Sequence, residues 1–151
     1  MAGRLLEIWT SPAAGKPMES REEVRAVAGK GLEGDRYFSG AGSWSSGDPA
    51  EREMTLIESE QLGWFEENTG QVLASSECRR NLITKGIALN ELVGVRFHVG
   101  EVEVEGLRLC EPCSYLQEKT GLDVLPAMVG RAGLNCRIVT EGMIRPGDMV
   151  G

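Results

Sequence analysis

Histidine is all but missing from this chain: His98 is the only one. A lone imidazole cannot build a histidine-based metal cluster, and it leaves no Ser/His/Asp arrangement to assemble. Basic residues are also scarce, 16 Lys and Arg against 23 Asp and Glu, for a net charge of −7. A phosphate backbone calls for clustered cations, so nucleic acid is excluded as a partner. No apolar run approaches the length of a membrane span, and Glu7 interrupts the N-terminus where a secretory signal would stay apolar. The expectation is a cytoplasmic protein with no membrane association. Four cysteines in a reducing compartment do not make a disulfide framework, so each needs its own explanation.

What is present suits a globular domain: 151 residues with 41% hydrophobic content, read as a single domain over 1–151. Short alternating stretches predict strands at Leu5–Trp9, Val24–Ala28, Met54–Ile57, Leu82–Thr84 and Cys136–Val139. Val95–Val99 and Val102–Val104 are expected to pair as a hairpin across Gly100, and the alternation continues to Leu109. Met143–Val150 is expected to close the chain, with a turn at Pro146-Gly-Asp148. Helices are expected at 59–67, capped by Ser59, at 114–121 ending on glycine, and briefly at 124–129. Asn90–Gly94 reads as a helical turn. Residues 39–50, dominated by glycine and serine, read as a flexible loop. Many short strands, 20 glycines and few long helices predict a mainly β fold, a barrel-like curled sheet and not a βαβ fold.

The chemistry centres on Cys110-Glu-Pro-Cys113, between a predicted strand and a predicted helix. Free N–H groups and the dipole at a helix start favour a thiolate there. Such a thiolate can be a nucleophile, a sulfur carrier or a ligand for a soft metal. Structural zinc would need two further ligands, and only isolated Cys78, Cys136 and His98 remain. A thiol–disulfide redox pair is the stronger rival, although the βαβ pattern that should precede it is missing. Two half-buried thiols without a role is the bland reading. Cys78 and Cys136 are expected in the core, His98 is expected to have no catalytic use, and Glu101, Glu103 and Glu105 form a solvated strand face.

Two further pieces invite anion binding. Gly31-Leu-Glu-Gly-Asp-Arg36 lacks the lysine of a phosphate loop, and its plain reading is a turn with Asp35 capping backbone N–H groups. Arg79-Arg80-Asn81 sets two guanidiniums together, either as surface salt bridges or as an anion clamp.

Together and in order, these blocks resemble a MOSC domain, the family named after the C-terminal part of molybdenum cofactor sulfurases. The matching segments are Gly31–Arg36, Arg79-Arg-Asn-Leu82, Leu92–Phe97 running into Val99–Val102, Cys110–Cys113 and Ile144–Val150. The resemblance implies a mainly β barrel and a site that handles the molybdenum cofactor (molybdopterin) or its sulfur, in a stand-alone, bacterial-type member. It places the essential thiol on Cys113, as molybdenum ligand or sulfur carrier, with Cys110 resolving a persulfide or standing beside it. It sets Arg36, Arg79 and Asn81 toward the pterin and its phosphate, with Asp35 and Arg80 in the same set. Leu32, Tyr37 and Leu109 are candidates for an apolar wall, and the 39–48 loop for a lid. Sulfur carriage as a sulfurtransferase in cofactor maturation is the first expectation. The alternative is a molybdenum-dependent reductase of N-hydroxylated compounds, and from another class a thiol–disulfide module. A sulfur-donor or electron-donor protein would be the partner. No pyridoxal phosphate is expected, since this chain has no desulfurase half.

Overall fold

A computed structural model of the chain describes residues 2–13, 15–38, 53–111 and 114–151. The expected 39–50 loop, Pro112 and Cys113 therefore lie outside the described residues.

Eleven strands are described: β1 Gly3–Thr10, β2 Glu19–Arg21, β3 Val24–Val27, β4 Gly31–Leu32, β5 Met54–Glu58, β6 Leu82–Lys85, β7 Arg96–Val99, β8 Val102–Leu109, β9 Leu134–Ile138, β10 Gly142–Ile144 and β11 Met149–Val150. Helices α1 (Ser59–Thr69), α2 (Ser114–Thr120) and the single-turn α3 (Val124–Ala127) join them, with a 3-10 turn at Leu89–Leu92. Seven strands close a mixed barrel in the order β11-β7-β8-β9-β5-β6-β1, the ring completed by β1 against β11. Closure removes the exposed edges that a curled open sheet would leave. β2 extends the sheet beyond β1, and β10-β3-β4 make a small second sheet.

The sequence patterns explain most of these elements. β8 alternates buried and partly buried residues over Val102–Gly106, and its partner β7 sends Phe97 and Val99 inward. Glu103 and Glu105 then take the outer face, paired with Arg96 and Arg137, as expected of a solvated face. Helix α1 buries Phe65 completely, with Leu62 and Trp64 packed beside it. It stops where Gly70 adopts φ 72 and returns its N–H to the Glu66 carbonyl, a left-handed cap that costs a β-carbon-free residue nothing.

One expectation is corrected and two details were not anticipated. Ser59 is not the cap of α1; Glu58 occupies that position without a capping hydrogen bond, and the Ser59 hydroxyl turns to Glu60. β5 and β6 run parallel with α1 in the crossover, so one βαβ unit is embedded in the barrel. Parallel strands need such a crossover, and both of their faces are covered. Finally, β2 was not foreseen in the turn-rich segment containing Pro12, Gly15 and Pro17, since three polar residues carry no alternation.

The parallel pair divides the core. Leu56 and Leu82 point into the barrel with Leu5, Ile8, Phe97, Val104 and Leu134. Ile57 and Ile83 point outward into a second cluster with Phe65, Leu73, Leu116, Val124 and Met128, beneath the helices.

Candidate functional site

The Gly31–Arg36 segment makes the turn expected of it. Asp35 is buried; its Oδ1 accepts the Ser11 N–H at 3.1 Å and its Oδ2 accepts the Tyr37 N–H at 3.4 Å. The same carboxylate pairs with Arg36, whose Nη1 lies 3.0 Å from Oδ1. Arg36 is not a displayed cation. Only 5% of it is exposed, and its guanidinium stacks over the Tyr37 ring, touches the Met18 sulfur and donates from Nη2 to the Arg79 carbonyl at 3.4 Å. Burial with an opposing carboxylate and carbonyl acceptors is what makes an interior guanidinium tolerable.

Arg79 is the only non-glycine residue with positive φ among the described residues, at 62°. That conformation is disfavoured for a side chain with a β-carbon by about 1 kcal/mol. It is held by the Arg36 bond to its carbonyl and by its own Nη1, which donates to the Lys16 carbonyl at 2.6 Å. Arg80 faces the other way, with Nε donating to the Ala132 carbonyl at 2.8 Å. Asn81 is buried and its amide is committed: Oδ1 accepts from the Thr55 N–H and hydroxyl, and Nδ2 donates to the Trp9 carbonyl. It staples β1 and β5 to the start of β6, a role the sequence did not suggest.

The thiols divide less evenly than expected. Cys110 follows β8, with its N–H on the Gly133 carbonyl at 2.8 Å. It is buried, and burial pushes its thiol above the ordinary range, although Arg80 and Arg108 pull in the opposite direction. The thiolate-favouring environment expected of this turn does not extend to Cys110, because desolvation outweighs the two cations. Cys113 lies outside the described residues; in sequence it immediately precedes α2. Cys78 and Cys136 are core residues, as expected, and burial raises both thiols, Cys136 the more strongly. His98 is exposed on β7. Among the described residues no group of three His, Cys, Asp or Glu could hold a metal ion. Leu32 belongs to the barrel core, which removes it from the expected apolar wall; Leu109 packs partly buried against that core.

The set is nonetheless joined. Arg36 meets Arg79 directly. Arg80 and Cys110 are held by consecutive residues, Ala132 and Gly133. Gly133 has φ 113, and any β-carbon on it would fall on the Leu56 carbonyl oxygen, so the segment is pressed against β5 at this position, which admits glycine alone. Cys78, Arg80, Leu116 of α2, Met128 and Ala132 line a small cavity between the arginine and the helices. The Ser11–Pro17 loop touches both sides: Arg79 bonds Lys16, and Lys119 of α2 reaches the Gly15 carbonyl at 3.1 Å. Ser11 and Lys16 were missed in the sequence; Pro12, Gly15 and Pro17 signal turns there but not what the turns hold.

Comparison with known proteins agrees with this geometry. The fold matches the YuaD protein from Bacillus subtilis with a TM-score of 0.84 at 16% identity, covering 99% of this chain and 94% of that one. It matches YiiM from Geobacillus stearothermophilus with a TM-score of 0.70 at 20% identity, over 98% of this chain and 73% of that one. YiiM from Escherichia coli gives 0.72 at 18% identity, over 99% and 68%. At these identities the likeness is one of fold. No curated protein matches the chain significantly in sequence. The family model for the MOSC domain matches residues 29–151, a span that holds the Gly31–Arg36 turn, the arginine pair, both cysteines of the Cys-x-x-Cys and the closing strands, and the chain is a member of the MOSC domain family.

Proposed function

We propose that this domain binds the molybdenum cofactor and carries sulfur in its maturation, with Cys113 as the thiol that holds the sulfur. The observation that carries the reading is the convergence of Arg36 and Arg79, distant in sequence, in a protein of net charge −7. The Arg36 side chain reaches the Arg79 main chain, so two arginines from separate segments share one wall, and an anionic phosphate is a group that such donors suit. The donor set fits the cofactor on that count: arginines for its phosphate, and a cysteine for a sulfur-rich centre.

When bound, the cofactor would supply a molybdenum held by dithiolene sulfurs, which is compatible with a thiolate as further ligand. The chain's own residues do the rest. Arg36 and Arg79 would face the phosphate, with Asp35 fixing Arg36 and Asn81 fixing the strand start behind them. A Cys113 thiolate attacks the terminal sulfur of a donor persulfide; the donor cysteine leaves as thiolate, and Cys113 keeps the transferred sulfur as its own persulfide. Arg80, whose charge acts on the Cys110 thiol, would steady negative charge on sulfur. Cys110 stays protonated beside it, which weighs against a thiol–disulfide pair, since exchange starts from a thiolate.

Purification from a cofactor-producing host, with molybdenum and pterin quantified, tests the reading. Wild type should carry both, and Arg79→Met should lose pterin while remaining folded. A protein that takes up neither molybdenum nor pterin overturns it.

A further inference from the structure

Ser11 shares an acceptor with each of Arg36 and Arg79. It is completely buried. Its backbone N–H donates to Asp35 Oδ1, the oxygen that also holds Arg36 Nη1. Its hydroxyl lies 3.0 Å from the Lys16 carbonyl, the same acceptor that holds Arg79 Nη1. The Ala13 carbonyl, 2.8 Å away, shares that single hydroxyl proton. One small residue is thus a single acceptor away from each guanidinium, through its main chain to one and its side chain to the other.

We propose that Ser11 is a positioning residue that sets the spacing of Arg36 and Arg79 for an anionic group. The proposal rests on the reading above that this pair holds the cofactor's anion. The geometry gives it a specific form. Without the Ser11 hydroxyl, the Lys16 carbonyl keeps Arg79 but loses its tie to the end of β1, and Arg79 shifts with it. Arg79 is sensitive to such a shift because its backbone sits in the left-handed region, where its hydrogen bonds supply the restraint. Arg36 is insulated from loss of the hydroxyl, because the Ser11 N–H on Asp35 belongs to the main chain and survives side-chain substitution. Ser11 therefore controls the two arginines separately.

The experiment compares Ser11→Ala, Ser11→Thr and Arg79→Met, each purified from a cofactor-producing host. Two readings are taken: retained pterin, and the exchange rates of the Arg36 and Arg79 guanidinium protons by NMR. Ser11→Ala should lose pterin affinity by about tenfold, the scale of one lost positioning hydrogen bond to a charged group. It should speed exchange at Arg79 and leave Arg36 slow. Ser11→Thr, which keeps the hydroxyl, should restore both. Full pterin retention in Ser11→Ala while Arg79→Met loses it would sink the positioning role alone. So would equal loss in Ser11→Thr, since packing and not the hydroxyl would then be at fault. Retention in Arg79→Met as well would instead remove the underlying reading of the arginine pair.

Discussion

Arg36 donates from Nη2 to the main-chain carbonyl of Arg79 across 3.4 Å, joining two residues 43 positions apart in sequence. The contact is made inside the protein, with Arg36 only 5% exposed and its partner Asp35 only 2%. A surface guanidinium would be removable without structural consequence; Arg36 is part of the packed interior.

Arg36→Ala should therefore destabilise the fold as well as weaken ligand retention. It leaves the Asp35 carboxylate buried without its cation, which costs about 3–5 kcal/mol. Asp35→Ala should cost a similar amount, because it removes the carboxylate paired with buried Arg36 and also deprives the Ser11 and Tyr37 N–H groups of their acceptor. Urea denaturation checks both; a loss below about 1 kcal/mol, the scale of a surface pair, would contradict the buried geometry.

Asn81→Ala should unfold more easily by about 2–4 kcal/mol, since it leaves the Thr55 N–H and the Trp9 carbonyl without side-chain partners in a buried position. Asn81→Asp keeps an acceptor for Thr55 but sets a carboxylate oxygen against the Trp9 carbonyl, so it should recover little. A melting temperature close to wild type in either variant would show that the staple is dispensable.

The buried thiols predict an alkaline weakness. Cys78, Cys110 and Cys136 all have thiols raised by burial in the folded state. The unfolded chain ionises them from about pH 8.5, where it binds fewer protons than the native state, so stability falls as pH rises from there toward the folded values. Below that point the contribution is fully present. Cys136→Ala, compared with wild type over pH 7–10, should show a shallower loss, whatever its offset at neutral pH. Parallel curves would mean that Cys136 does not ionise on unfolding in this range.

Gly133→Ala should be among the most damaging single substitutions, because the new methyl falls on the Leu56 carbonyl oxygen at a backbone angle that L residues rarely adopt. Its effect should reach Cys110 through the neighbouring carbonyl. Faster alkylation of Cys110 in this variant, at a pH where wild type is inert, would register that coupling.

The barrel was legible wherever burial alternates, as in Val102–Gly106 against Phe97 and Val99, because one wet face and one dry face leave a period of two in the sequence. The parallel β5–β6 crossover was not, since Leu56, Ile57, Leu82 and Ile83 are all buried and a strand covered on both sides has no alternation. The Ser59 cap failed for another reason: the chain enters α1 directly from β5, and Glu58 holds the capping position. The candidate site was legible in its residue types but not in its depth. Arg36 and Arg79 look like surface cations in any sequence, and only the turn at Asp35 and the loop at Ser11 bring acceptors to them in the interior. Asn81 was set toward the cofactor by the family resemblance alone, and nothing in the sequence announced that its amide also holds three strands together.

Persulfide mapping bears most directly on the central claim, that Cys113 alone among the four cysteines carries sulfur. The protein is incubated with a low-molecular-weight persulfide at neutral pH, alkylated, digested and read by mass spectrometry, in wild type and in Cys113→Ser. The account predicts one added sulfur, on the peptide containing Cys113 and at that residue, none on Cys78, Cys110 or Cys136, and none anywhere in Cys113→Ser. Equal sulfur loading in Cys113→Ser, or loading on the buried thiols at the wild-type rate, would contradict it.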